Sequence, residues 1–164
     1  MTLRAHWVTS KSSLGDAKSS LGDAKSSLGD VHNADVNGQT ALWGAARNGH
    51  VEVIQVLLEA GAMVNCADNY GFSALNVAAL HGHLEATRAL LEAGAEVNHA
   101  DGIIGATALF RAAQNNHVEV VRVLVEAGVR LDRSDNDGRT PLAVARANNH
   151  EEAVLALVEA GATE

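Results

Sequence analysis

Three series of residues recur in one register along this chain. Gly38, Gly71, Gly105 and Gly138 are separated by 33, 34 and 33 residues, and Gly61, Gly94, Gly128 and Gly161 repeat the same spacings. His50, His83, His117 and His150 keep step with them. A period of this length marks a stack of supersecondary units, each unable to bury its apolar face alone. Four units result. One extra residue lies in Asp101-Gly102-Ile103-Ile104-Gly105, where the other units have Asp-x-x-Gly.

The local chemistry of a unit is the same each time. Asp35, Asp68 and Asp135 stand three before a glycine, the pattern of a β-turn with Asp first and Gly last. Thr40, Ser73, Thr107 and Thr140 follow, where a helix needs an N-cap oxygen. A short Ala-rich helix is predicted next, such as 41–48, stopping at Asn48-Gly49. A second helix is predicted over about 51–60, ended by Gly61. Val64, Val97 and Leu131 are predicted to begin an extended return to the next turn. Helices this short do not stand alone in water, so each must pack on a neighbouring unit. Aromatics make up only 3% of the chain, so Ala, Val and Leu must build the core, which favours close helix approach. Ala45-Ala46, Ala78-Ala79 and Ala112-Ala113 permit that approach, while Leu57-Leu58, Leu90-Leu91 and Leu124-Val125 fill the space between units.

A second, shorter repeat precedes the array. KSSLGDA occurs twice, then KSSLGDV, with Leu14, Leu21 and Leu28 seven apart. That spacing imitates a coiled-coil seam. Each heptad also carries one Gly and two Ser, which disfavour helix. Residues 1–30 are therefore expected to be a low-complexity, disordered tail, with a marginal helix as the rival reading, and 31–164 the folded domain.

The folded part holds eight Arg, no Lys and seventeen acidic residues, a net charge of −9. Such a surface repels nucleic acid and anionic membranes, so neither is an expected partner. No apolar run reaches about 18 residues, and the first ten lack the apolar core of a signal peptide. The lone Cys66 cannot close an internal disulfide and suits a reducing compartment. A soluble, cytoplasmic or nuclear monomer is the expectation.

Asp135-Asn136-Asp137-Gly138-Arg139-Thr140-Pro141-Leu142 resembles the ankyrin signature D-x-x-G-x-T-P-L, and the run from Gly49 to Ala62 is similar to the ankyrin second helix. The resemblance covers about 35–164 and implies an all-α ankyrin-repeat solenoid. Its units would be about 35–67, 68–100, 101–134 and 135–164, joined by β-turn finger loops. Departures are visible. The proline of T-P-L is Ala41, Ala74 and Ala108 in the first three units, and the histidine after that leucine is Trp43, Asn76, Phe110 and Ala143. Arg111 and Arg146 stand at positions the family usually fills with small or apolar residues. In the last unit Leu155 replaces the polar Gln55, Arg88 and Arg122, so apolar surface is expected to be exposed there.

Little in the chain suggests chemistry. The periodic histidines lie a repeat apart, too far to share a metal ion. In the resembling family this histidine tends to bond the turn region. His81 and His83 lack a third ligand at suitable spacing, and Cys66 has no periodic base beside it. The paired glutamates of each second helix recur in every unit and read as a solvated stripe. No catalytic residue, metal or cofactor is expected. One modification is implied by the resemblance: ankyrin-like repeats serve as substrates of asparaginyl hydroxylases, and Leu90, Glu96, Val97 and Asn98 fit the target pattern. The plainer reading is that Asn98 caps its loop.

The resemblance implies binding of a partner protein through the finger turns and the concave side of the first helices, as a scaffold or adaptor. Carried over by position, the candidate contacts are Arg47, Asn69, Tyr70, Phe72, Leu80, His81, Ile103, Ile104, Gln114 and Arg139. Tyr70, Phe72 and Leu80 are large apolar residues at positions needing no core residue, with Ile103 and Ile104 in the adjacent inserted turn. Central aromatics within a polar rim mark interface hot spots. The alternative is a fragment of a larger ankyrin protein whose effector domain lies elsewhere.

Overall fold

A computed structural model describes residues 30–163. The tail expected at 1–30 lies, but for Asp30, outside the described residues. The chain divides into two units at Val31/His32, and the second carries the array.

Eight helices occur among the described residues, two per repeat. The first helices are α1 (Ala41–Asn48), α3 (Ala74–Leu80), α5 (Ala108–Gln114) and α7 (Pro141–Ala147). The second helices are α2 (Val51–Glu59), α4 (Leu84–Glu92), α6 (Val118–Glu126) and α8 (Glu151–Glu159). Every first helix begins on its predicted cap: the side chains of Thr40, Ser73, Thr107 and Thr140 accept the backbone N–H three residues on. Ser73 makes a full capping box with Asn76. The first helices pack on one another in chain order, the second helices do likewise, and each first helix packs on its own second helix. This is the nearest-neighbour stacking of a solenoid. Leu42, Leu75, Leu109 and Leu142 form one buried ladder, and Leu57, Leu90, Leu124 and Leu157 another. Ala46, Ala79 and Ala113 are fully buried as well.

Polar links also run from unit to unit. The Nε2 of His83, His117 and His150 lies 3.0, 3.1 and 3.0 Å from the carbonyls of Arg47, Leu80 and Gln114. A carbonyl can only accept, so each ring carries its proton on Nε2. These histidines therefore tie each unit to the C-terminal end of the preceding first helix, where carbonyls lack intrahelical donors. The predicted extended return is corrected. Val64, Val97 and Leu131 each begin a turn, and regular pairing is reduced to single bridges such as Ala67 with Ser73. Asn65 and Asn98 in these turns spend their side chains on the next unit instead: Asn65 Oδ1 accepts the N–H of Glu96, and Asn98 Oδ1 that of Arg130, both at 2.8 Å. Leu155 stands 60% exposed, as its position suggested.

The turn between the two helices of a unit is left-handed. Gly49 and Gly82 have φ of 70° and 73°, and their counterparts Asn116 and Asn149 have 58°. Asparagine tolerates this region and β-branched residues do not. A Cβ on Gly82 would also stand 2.5 Å from His117 Nδ1, although the Asn116 turn shows that a side chain can be accommodated. Gly82→Asn should therefore cost under ~1 kcal/mol and Gly82→Val about 2 kcal/mol in urea unfolding. Equal losses would contradict this.

Candidate finger and first-helix surface

Four finger turns line up beside the N-termini of the first helices. Asp35, Asp68 and Asp135 close them as predicted, each carbonyl accepting the N–H of the glycine three on, at 2.9 to 3.0 Å. Neighbouring fingers are joined by one backbone bond each: Asn69 N–H to Asn37 O, Gly102 N–H to Tyr70 O, and Asn136 N–H to Ile104 O. The tips therefore keep a fixed register.

The inserted turn of unit three keeps the same foundation. Asp101 Oδ1 accepts the N–H groups of Ile103 and Ile104, at 3.1 and 3.0 Å. The extra residue is absorbed without breaking the link to Tyr70.

Tyr70 and Ile103 are 55% and 56% exposed, on adjacent fingers. Arg47, Asn69, His81 and Arg139 are also exposed, while Phe72, Leu80, Ile104 and Gln114 are half-buried. Several of these are already engaged. Phe72 has the Arg111 guanidinium 5.3 Å from its ring centre. Arg111 donates to Asp101 Oδ2 from Nη2 (2.7 Å) and Nε (3.1 Å), and from Nη1 to Gln114 Oε1 at 3.3 Å. Asn69 Nδ2 donates to Val36 O at 3.1 Å. Arg47 lies 5.8 Å from the Trp43 ring centre.

Arg139 donates to Asp135 Oδ2 from Nη2 (2.6 Å) and Nε (2.9 Å), and lies 5.9 Å from the Phe110 ring centre. Burial alone would raise the Asp135 pKa. The hydrogen bonds and positive charge of Arg139 outweigh that and hold the carboxyl below its usual range. The His81 pKa is lowered too: partial burial first, then the positive charges of His83, Arg47 and His117, favour the neutral ring.

Two features carry contacts that sequence patterning missed. His99 Nε2 donates to Gly71 O at 2.8 Å, although Cys66 and Arg133 occupy its counterpart positions. Arg111 looked like a defect in an apolar register and is instead half of an enclosed ion pair. Asn98, the candidate modification site, holds Arg130 N–H through its amide oxygen, and a hydroxylase would have to open that bond. No group of three or more His, Cys, Asp or Glu side chains is placed to hold a metal ion among the described residues.

A family model for ankyrin repeats in three copies matches residues 18–101 and 100–163. No curated protein was found to match the chain. With four capped helix pairs, aligned finger turns and this match over most of its length, the chain belongs to the ankyrin repeat family.

Proposed function

We propose that this chain is a protein-binding scaffold or adaptor whose partner contacts the finger turns and the exposed side of the first helices, centred on units two and three. Ankyrin repeats are generally protein–protein interaction modules. The observation carrying the narrower reading is the pair Tyr70 and Ile103. Both are large, more than half exposed, and joined finger to finger by the Gly102 N–H to Tyr70 O bond of 2.8 Å. Exposed Arg47, Asn69, His81 and Arg139 supply polar groups on the same set of turns and first helices. Phe72 belongs to the support rather than the contact, because Arg111 already covers it. The net charge of −9 on residues 31–164 favours a basic protein segment over nucleic acid. A monomeric adaptor of the cytoplasm or nucleus, without catalytic residues or cofactor, fits these features.

Quantitative affinity capture with the full chain tests the reading. Tyr70→Ala with Ile103→Ala should weaken capture of a specific partner at least ~10-fold. A control on the second helices, Glu85→Ala with Glu119→Ala, should leave it unchanged. Equal capture by all three baits would refute the finger surface.

A further inference from the structure

Each finger turn rests on an aspartate that spends one carboxylate oxygen inside the turn. Asp68 Oδ1 accepts the N–H of Tyr70 at 3.0 Å and of Phe72 at 2.8 Å. Asp101 Oδ1 does the same for Ile103 and Ile104, and Asp135 Oδ1 for Asp137 and Arg139. In units three and four the other oxygen receives an arginine. Arg111 reaches Asp101 Oδ2 at 2.7 Å, and Arg139 reaches Asp135 Oδ2 at 2.6 Å. Both guanidinium groups also lie over an aromatic ring of the preceding unit, Phe72 or Phe110.

Unit two has the carboxylate without the cation. Asp68 is 7% exposed, against 4% for Asp101 and 6% for Asp135. No hydrogen bond or ion pair meets its Oδ2 among the described residues. The counterpart of Arg139 is Phe72 and that of Arg111 is Val77, and neither side chain can donate. An aromatic residue is present as well: Trp43 occupies in unit one the position that Phe110 holds in unit three. Its Nε1 is buried without a hydrogen-bond partner, the one such side-chain atom found among the described residues. Asp68 Oδ2 is not among the buried atoms left without a partner, so it still reaches solvent and is open to a counter-charge from outside the chain.

We infer that Asp68 receives an arginine guanidinium from the partner protein, in the role that Arg111 plays on Asp101 and Arg139 on Asp135. This rests on the partner-binding reading above and specifies its chemistry: an arginine with apolar neighbours to meet Tyr70 and Ile103. Arginine suits the site better than lysine, because two internal examples already join a forked donor and a planar stacking face. The acidic array favours approach of such a segment.

Amide NMR of the full chain, titrated with N-acetyl-arginine methylamide, tests the inference. Saturable shifts at Asp68, Tyr70 and Phe72 are expected, absent with the uncharged citrulline analogue. Asp68→Asn keeps an oxygen for both backbone N–H groups and should abolish them. Phe72→Arg, which offers Asp68 an internal cation at the position of Arg139, should abolish them too. Persistence of the shifts in either variant, equal shifts with citrulline, or no saturable shift in the parent chain would overturn the inference. A partner that binds Asp68→Asn as tightly as the parent, yet is lost by Tyr70→Ala with Ile103→Ala, would sink the arginine site alone and leave the finger surface standing.

Discussion

Replacing Asp101 by alanine should cost about 3–5 kcal/mol, a loss the size expected when one member of a buried ion pair is removed. Asp101 Oδ1 holds two backbone N–H groups of the inserted turn, and Oδ2 takes both Nη2 and Nε of Arg111. Its side chain is wholly enclosed and that of Arg111 is 13% exposed. Alanine would leave a guanidinium without its counter-charge and two donors without acceptors. The turn carrying Ile103 would loosen, and Phe72 would lose the group that covers it. Asp101→Asn with Arg111→Met removes both charges while keeping an acceptor for the turn. It should recover more than half of the loss in urea unfolding. The exposed pair Arg130–Asp132 is the comparison: at 3.3 Å with both side chains mostly in solvent, its removal by Arg130→Ala should leave the urea midpoint almost unmoved. A loss for Asp101→Ala no larger than that would mean the enclosed pair contributes nothing.

Leu109→Ala should cost about 3–4 kcal/mol and spoil the single unfolding transition. Leu109 is fully buried in α5, which packs on both α3 and α7. The helices packed together here are rich in buried alanine (Ala78, Ala79, Ala112 and Ala113), side chains too short to fill a vacated space. In a nearest-neighbour stack, a defect in an internal unit weakens the interfaces on both sides, so the array parts in the middle. Leu142→Ala makes the same deletion in the last unit and should release that unit alone. Urea unfolding followed by far-UV circular dichroism separates the two. A broadened or two-step curve is expected for Leu109→Ala, with a smaller displacement for Leu142→Ala. Identical curves would mean that the units do not couple in series.

The elements were legible because each is signalled by a local rule. The glycine and histidine registers set the period, Thr40, Ser73, Thr107 and Thr140 marked every first-helix start, and the αL turns fell on the residues that tolerate them. The site was legible only in part, because its details depend on side chains meeting across units. Phe72 read as a free aromatic; Arg111, fixed by Asp101, covers it. Val64 and Val97 read as the start of an extended return, whereas each begins a turn whose asparagine side chain reaches the next unit, a contact no local pattern announces. His99 has no periodic counterpart, so nothing along the chain pointed to Gly71 O. Tyr70 and Ile103 were placed correctly on the surface because finger tips have no neighbouring layer to bury them.

Hydrogen exchange on the full chain, alone and bound to a captured partner, tests partner binding by the finger surface most directly. Slowed exchange should appear in the finger segments 69–72 and 102–105 and along α3 and α5. Protection confined to α2, α4, α6 and α8, with the fingers unchanged, would contradict it.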